Sequence, residues 1–336
     1  MNSTIIEKID DLLKSASFET FRIDNFCNKK SKFCFDLLVK KNDIIFSVKV
    51  FTNIDNISTE IVNDIKSLSM LLKSKPLLIG IKNRYNELED NTIYIRDELP
   101  FITLATLENI IEKDLYPYIL ARRGGGIMFL NGNVMKFIRE KQEISRKELS
   151  ELLGVTKRTV CAYENESMRP SEKVAKKLSN ILENKDLFRK INLFEWNFKF
   201  EIDWKEPREY TTRNPFETHL QAVLDDIGVC SYWYKNSPIP FKLSLYSKGS
   251  DDNKERNVYP LFSGVSEEDK KINELSLNCL NKFNKLFHVN SLFIVNNDIK
   301  IPDSLRKIKV PIVKIRNLEK IDDEEEFIDL VQESGI

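Results

Sequence analysis

The chain has 336 residues, enough for about two or three domains with a sizeable core. Lys+Arg and Asp+Glu both number 52, so any affinity for nucleic acid has to come from a local basic patch rather than from net charge. The five cysteines, Cys27, Cys34, Cys161, Cys230 and Cys279, are scattered without a CxxC, which argues against zinc ribbons and disulfide frameworks and fits a reducing compartment. No apolar run reaches membrane-spanning length, and the opening MNSTIIEKIDDLLKS is interrupted by acids in a way that a signal peptide is not. A cytoplasmic protein with no membrane partner and no cofactor is expected.

Residues 1–114 read as an α/β domain. Ile5, Ile6, Ile9, Leu12 and Leu13 give a helix, and FETFRID, FCFDLLVKK and DIIFSVKVF give three strands, the last two joined at Lys41-Asn42-Asp43. A helix is expected from about Ser58 to Lys73, then the strands PLLIGIK, TIYIR and PFITLA, then a helix from near Thr106. Within this order Asp36 lies on one strand, Lys49 on the next and Glu7 in the opening helix. The arrangement resembles the restriction-endonuclease-like fold, whose catalytic pattern is a carboxylate followed by a carboxylate-x-Lys triplet on the adjacent strand. That chemistry needs two acids to hold a divalent metal and a lysine to orient water. Ser47 stands where the second acid belongs, so the resemblance implies a degenerate site, and no catalytic or metal-ligating residue is assigned. A cross-strand Asp36–Lys49 pair is the simpler reading.

Residues 115–131 form a linker in which Arg122-Arg123-Gly124-Gly125-Gly126 reads as a flexible basic turn and Ile127 to Leu130 as a short strand. A hinge is favoured over an arm whose arginines follow phosphates or enter the minor groove.

Residues 132–185 carry the clearest pattern. Val134, Phe137 and Ile138 lie on one face of a first helix, and Leu149, Leu152 and Leu153 on one face of a second. Ser145 with Glu148 makes a capping box, Gly154 supplies a left-handed stop, and Thr156 opens a third helix that turns Val160 and Tyr163 inward and Lys157, Arg158, Thr159 and Ala162 outward. After Arg169-Pro170-Ser171, the stripe Val174, Ala175, Leu178, Ile181 and Leu182 closes an all-α bundle. From Asn133 to Leu182 there are 11 Lys/Arg against 7 Asp/Glu, an excess of 4 in a chain whose total is zero.

On Leu149, Leu152, Gly154, Val155, Thr156, Val160, Glu164 and Pro170, the segment resembles the phage-repressor (Cro-like) helix-turn-helix family. The resemblance implies that Lys157, Arg158 and Thr159 meet base edges or nearby phosphates and that Arg146 meets phosphate, with Thr156 and Ala162 in the same DNA-binding set. Further phosphate contacts fall to Arg122, Arg123, Lys147 and Arg169. Ala162 stands where relatives carry a polar base reader, which leaves it apolar contact with a thymine methyl. Arg146 replaces the Gln common in that family.

Residues 186–213 alternate Phe194, Trp196, Phe198, Phe200, Ile202 and Trp204 with polar residues, the period of a half-buried strand. Residues 214–336 read as a second copy of the first domain. PFETHLQAVLDDIG parallels the opening helix, VYPLFSGV parallels DIIFSVKV, and PIVKIRNLEKI, from Pro311, parallels PFITLATLENI, from Pro100, without a gap. In that copy Val265 falls near the Lys49 position. The acidic run Asp322 to Glu326 opens a last helix.

The expected architecture is therefore a multidomain α/β (α+β) chain: a central all-α helix-turn-helix bundle flanked by two related restriction-endonuclease-like domains. The layout, with its ARRGGGIMFLNG lead-in, resembles a family of archaeal transcription regulators, which implies gene regulation without an enzymatic step. The expected function is a sequence-specific double-stranded-DNA-binding regulator acting as a homodimer, with room for a small-molecule effector of unspecified chemistry. Two other classes compete: a metal-dependent nuclease using Glu7, Asp36 and Lys49, and an interaction scaffold or antitoxin-like partner binder.

Overall fold

The computed structural model describes residues 2–23, 33–122, 125–184, 186–200, 214–234, 240–247, 258–266, 272–303, 305 and 308–334. The N-terminal stretch runs α1 (Asn2–Ser15), β1 (Glu19–Arg22), β2 (Leu37–Lys41), β3 (Ile44–Asn53), α2 (Thr59–Leu71), β4 (Ser74–Lys82), β5 (Thr92–Arg96), β6 (Leu99–Ile102) and α3 (Leu104–Lys113), the order its apolar pattern predicts. Local chemistry explains the boundaries. Asn42 takes a left-handed φ of 54° at the β2–β3 turn, a conformation that Asn tolerates well. Ser58 and Thr103 cap α2 and α3 by accepting the Ile61 and Thr106 N–H groups.

The chain continues through β7 (Ile119–Arg122), β8 (Gly125–Met128), α4 (Gly132–Lys141), α5 (Arg146–Leu153), α6 (Lys157–Glu164) and α7 (Glu172–Ile181). Here the linker departs from the expected hinge. β7 and β8 pair antiparallel, with Arg122 opposite Gly125, and β7 also pairs in parallel with β5. Beyond the bundle, residues 186–200 contain turn and irregular chain and no strand. The Asn192 side chain accepts the Phe194 N–H and starts a turn, and Trp196 stacks on Phe198 at 5.8 Å. Alternation alone makes no strand where no neighbour supplies a ladder. Ile202 and Trp204 lie outside the described residues.

The C-terminal stretch comprises α8 (Pro215–Ile227), β9 (Cys230–Trp233), β10 (Leu243–Tyr246), β11 (Leu261–Ser266), α9 (Glu274–Phe287), β12 (Asn290–Val295), β13 (Ile312–Lys314), α10 (Ile315–Leu318) and α11 (Glu324–Glu333). Its sheet has the order β13-β12-β11-β10-β9, antiparallel from β9 to β11 and parallel from β11 to β13. Among the described residues, no helix is long and apolar enough to cross a membrane.

The chain separates into two compact units. One contains Met1–Ala16, Val50–Ile57 and Pro76–Phe198, hence α1, β5 to β8 and the helices α3 to α7. In it α1 buries Ile9, Leu12 and Leu13 and packs against α3, while β4 and β6 pair in parallel. The other contains Ser17–Lys49, Ser58–Lys75 and Lys199–Ile336.

The second unit has two kinds of core. One face of its C-terminal sheet packs Trp233, Leu243, Leu245, Leu261, Leu292 and Ile294 against α8 and α11. The rest is aromatic: Phe33 lies 5.3 Å from Tyr234 and 5.4 Å from Phe241, and Phe21 lies 5.9 Å from Phe283. Edge-on and tilted rings of this kind add to their area burial. A polar bond between two buried side chains crosses this interior, from Tyr232 Oη to Asp64 Oδ1 at 2.7 Å. Tyr232→Phe strips that donor from a buried carboxylate and should cost about 1–3 kcal/mol. Chemical denaturation would measure this, and a neutral result would mean that the bond carries no stability.

Candidate nucleic-acid interface

The bundle is built from four helices, each started by a side-chain cap. Asn131 accepts the Val134 N–H, Ser145 and Glu148 form the reciprocal capping box, Thr156 accepts the Thr159 N–H, and Ser171 accepts the Val174 N–H. Gly154 ends α5 at φ 72°, which turns the chain sharply into α6. The interior gathers Met135, Leu149, Leu153, Val160, Tyr163, Leu178 and Leu182, with Leu130 and Leu187 from the flanking chain.

Two expected core residues are not there. Phe137 is 66% exposed and Leu152 is 54% exposed, and the inward face of α4 is Val134, Met135, Ile138 and Arg139. The buried Arg139 has a partner. The Glu164 carboxylate is almost fully buried and receives Arg139 Nε at 2.6 Å and Arg146 Nε at 2.7 Å. Arg139 also donates to the Ile144 carbonyl and to Glu140, so a buried charge is met on every side. Glu164 holds Arg146 above its ordinary range, through the hydrogen bond first and its charge second.

The turn after α6 is tied down as well. Glu166 Oε1 accepts the Gly132 N–H at 3.0 Å and Arg189 Nη2 at 2.5 Å. The β7–β8 hairpin docks beside it: Ile127 bridges Ser171, and the Met128 N–H donates to the Pro170 carbonyl at 3.1 Å.

The candidate DNA-contacting residues divide by exposure. Lys157 and Arg158, on the first turn of α6, are exposed, as are Lys147, Arg169 and Arg122. Thr159, Ala162 and Arg146 are half-buried. Thr156 is exposed, and its Oγ1 is engaged by the Thr159 N–H at 3.1 Å and by Thr159 Oγ1 at 2.9 Å. The Arg169 guanidinium lies over Phe129, 4.4 Å from the ring centroid. Arg123 lies outside the described residues. Arg139 is the functional neighbour that the apolar pattern missed, because a charged residue among the first helix's apolar positions gives no local sign of a partner 25 residues on.

The nuclease-like constellation has a different character. Asp36 Oδ1 and Lys49 Nζ form an ion pair at 3.1 Å, with both side chains nearly buried. Ser47 Oγ is buried without a hydrogen-bond partner among the described residues, and Glu7 is exposed on α1. Burial pushes the Cys34 thiol well above its usual range, and the Asp64 charge pushes it further. Among the described residues, no group of three His, Cys, Asp or Glu is arranged to hold a metal ion.

Residues 2–117 match the family model described as a PD-(D/E)XK superfamily domain, and residues 135–187 match the one described as helix-turn-helix. A Methanobrevibacter smithii protein named "Putative HTH-type transcriptional regulatory protein" is 30% identical over 334 residues, which is 98% of this chain and 97% of the relative. Similarly named proteins of Methanocaldococcus jannaschii and Pyrococcus furiosus are each 27% identical, over 326 and 331 residues, covering 96% and 98% of this chain and 96% of each relative. No solved structure matches the chain. With a helix-turn-helix segment in its middle and this similarity running along nearly its whole length, the chain belongs to the family of HTH-type transcriptional regulatory proteins.

Proposed function

We propose that the protein is a sequence-specific, double-stranded-DNA-binding transcriptional regulator that acts as a homodimer. The observation that carries this is the first turn of α6. Its inward residues Val160 and Tyr163 are locked in the core, while Lys157 and Arg158 stand exposed at a helix N-terminus, the geometry the major groove admits. Arg158 reads a base edge, with Lys157 and Thr159 beside it, and Ala162 offers a methyl to a thymine. Thr156 sets the helix start. Arg146, Lys147, Arg169, Arg122 and Arg123 meet phosphates and fix the register. One bundle covers one half-site, so a pair of chains supplies the specificity of a palindrome.

The domain plan we propose places residues 1–114 and 214–336 as two related α/β copies around the bundle at 132–185, with 115–131 and 186–213 between them. It is supported by the common order helix, three antiparallel strands, helix, then strand in both stretches. The match to a PD-(D/E)XK domain favours descent from a nuclease, and it keeps a second reading alive in which Glu7, Asp36 and Lys49 cleave DNA. The ion-paired Asp36 and the hydroxyl at Ser47 weigh against that chemistry, since a hydroxyl is a poor ligand for a hard divalent cation.

Selection of bound duplexes from a random pool, with magnesium present and product lengths checked, tests both readings. An enriched palindrome on intact DNA is expected. Arg158→Ala should then cost about 1–3 kcal/mol and relax preference at one base position. Enrichment of a single unpaired half-site would overturn the dimer. Cut products that vanish in Lys49→Ala would establish the nuclease, and no enrichment at all would turn the function toward a protein partner.

A further inference from the structure

The Glu164 carboxylate serves two arginines that differ in one respect. Arg139 has its side chain 7% exposed and donates through Nε, Nη1 and Nη2 to Glu164, the Ile144 carbonyl and Glu140. Arg146 has its side chain 36% exposed, and among the described residues only its Nε is engaged, by Glu164. A guanidinium is a rigid plane with five N–H donors, so engaging Nε restricts the plane and leaves the four Nη donors for another acceptor. Two carboxylates, the buried Glu164 and the largely exposed Glu140, stand against the two arginines, and the arginine whose side chain reaches solvent is Arg146.

We infer that Glu164 is a positioning residue for DNA binding: it holds Arg146 so that the outer guanidinium edge meets a backbone phosphate at the start of α5. This rests on the DNA-binding reading above and adds to it the residue that prepares the contact. The phosphate and Glu164 take different edges of the same fork, so docking does not break the internal pair. A side chain already ordered by a buried partner has less rotamer freedom to lose when it binds, which is where preorganisation gains affinity. Because phosphate contacts carry no sequence information, the effect is the same for every duplex.

A double-mutant cycle on the full chain tests this: wild type, Arg146→Ala, Glu164→Gln and the double variant. Each is titrated with an enriched and a scrambled duplex over a salt series, at a temperature where circular dichroism shows all four folded. Arg146→Ala should weaken both duplexes roughly tenfold and reduce the salt slope by about one. In the Glu164→Gln background the same replacement should cost less than about threefold, because the arginine is no longer aimed. An undiminished effect in that background would overturn the inference and leave Glu164 a structural residue. No effect of Arg146→Ala in either background would overturn it as well. Should Glu164→Gln fail to fold, Arg146→Lys replaces it: the salt slope should stay and affinity should fall several-fold, because lysine keeps the charge without the fork. Unchanged affinity would then sink the idea. A folded wild type that binds neither duplex would remove the DNA-binding reading itself, an outcome distinct from every other.

Discussion

Glu164→Ala should lower the stability of the bundle by about 3–5 kcal/mol. The replacement removes a carboxylate whose side chain is 1% exposed and leaves Arg139, itself 7% exposed, as a buried charge without its counterion. Its remaining acceptors, the Ile144 carbonyl and the largely exposed Glu140, do not replace a buried ion. Arg146→Ala should be mild by comparison, about 1 kcal/mol or less, because its partner keeps Arg139 and its own side chain is partly in water. Denaturant unfolding of the two variants measures the contrast. Equal losses would show that the Arg139 pair adds nothing to the Arg146 pair, and a loss under about 1 kcal/mol for Glu164→Ala would mean that water reaches Arg139. Replacing both Arg139 and Glu164 by apolar residues of similar volume should recover much of the loss, since the cost lies in the unpaired charge rather than in the missing attraction.

Gly132→Ala is expected to cost about 3 kcal/mol, at the upper end for overpacking. A Cβ there would stand 2.1 Å from the Glu164 carbonyl oxygen and 2.7 Å from its carbon. Both atoms belong to backbone at the end of α6, so no rotamer change relieves the clash, and α4 must lift away from the helix it packs on. Gly154 makes the comparison informative. A Cβ at that position meets nothing within 4 Å, and the cost of alanine is only the left-handed φ of 72°, roughly 1–2 kcal/mol. If Gly132→Ala proves no worse than Gly154→Ala in thermal unfolding, the close approach of α4 to α6 is not a rigid constraint.

What could be read from the sequence was what is local. Ser145 with Glu148, Gly154 and Thr156 fix helix ends through bonds spanning three or four residues, and all of them act where the pattern places them. The outward first turn of α6 follows from the same spacing. The misreadings are non-local. In α4 the inward face includes the buried Arg139, whose partner Glu164 lies in another helix. The aromatic alternation before Phe200 has the period of a strand, but pairing needs a partner that no periodicity reveals. The Tyr232–Asp64 bond joins residues 168 positions apart, beyond any window that pattern reading uses. The Asp36–Lys49 pair was legible because a hairpin register is itself a local rule.

The β7–β8 hairpin changes what kind of reader the bundle can be. A helical domain on a slack tether samples orientations independently of the body that carries it, and that freedom is lost again each time it docks. Here β7 lies in register with β5, β8 lies in register with β7, and β8 in turn bonds to Pro170 and Ser171 at the mouth of α7. These main-chain bonds run without a gap from β5 to the cap of α7, so α7 is held to the sheet by backbone and not by a slack linker.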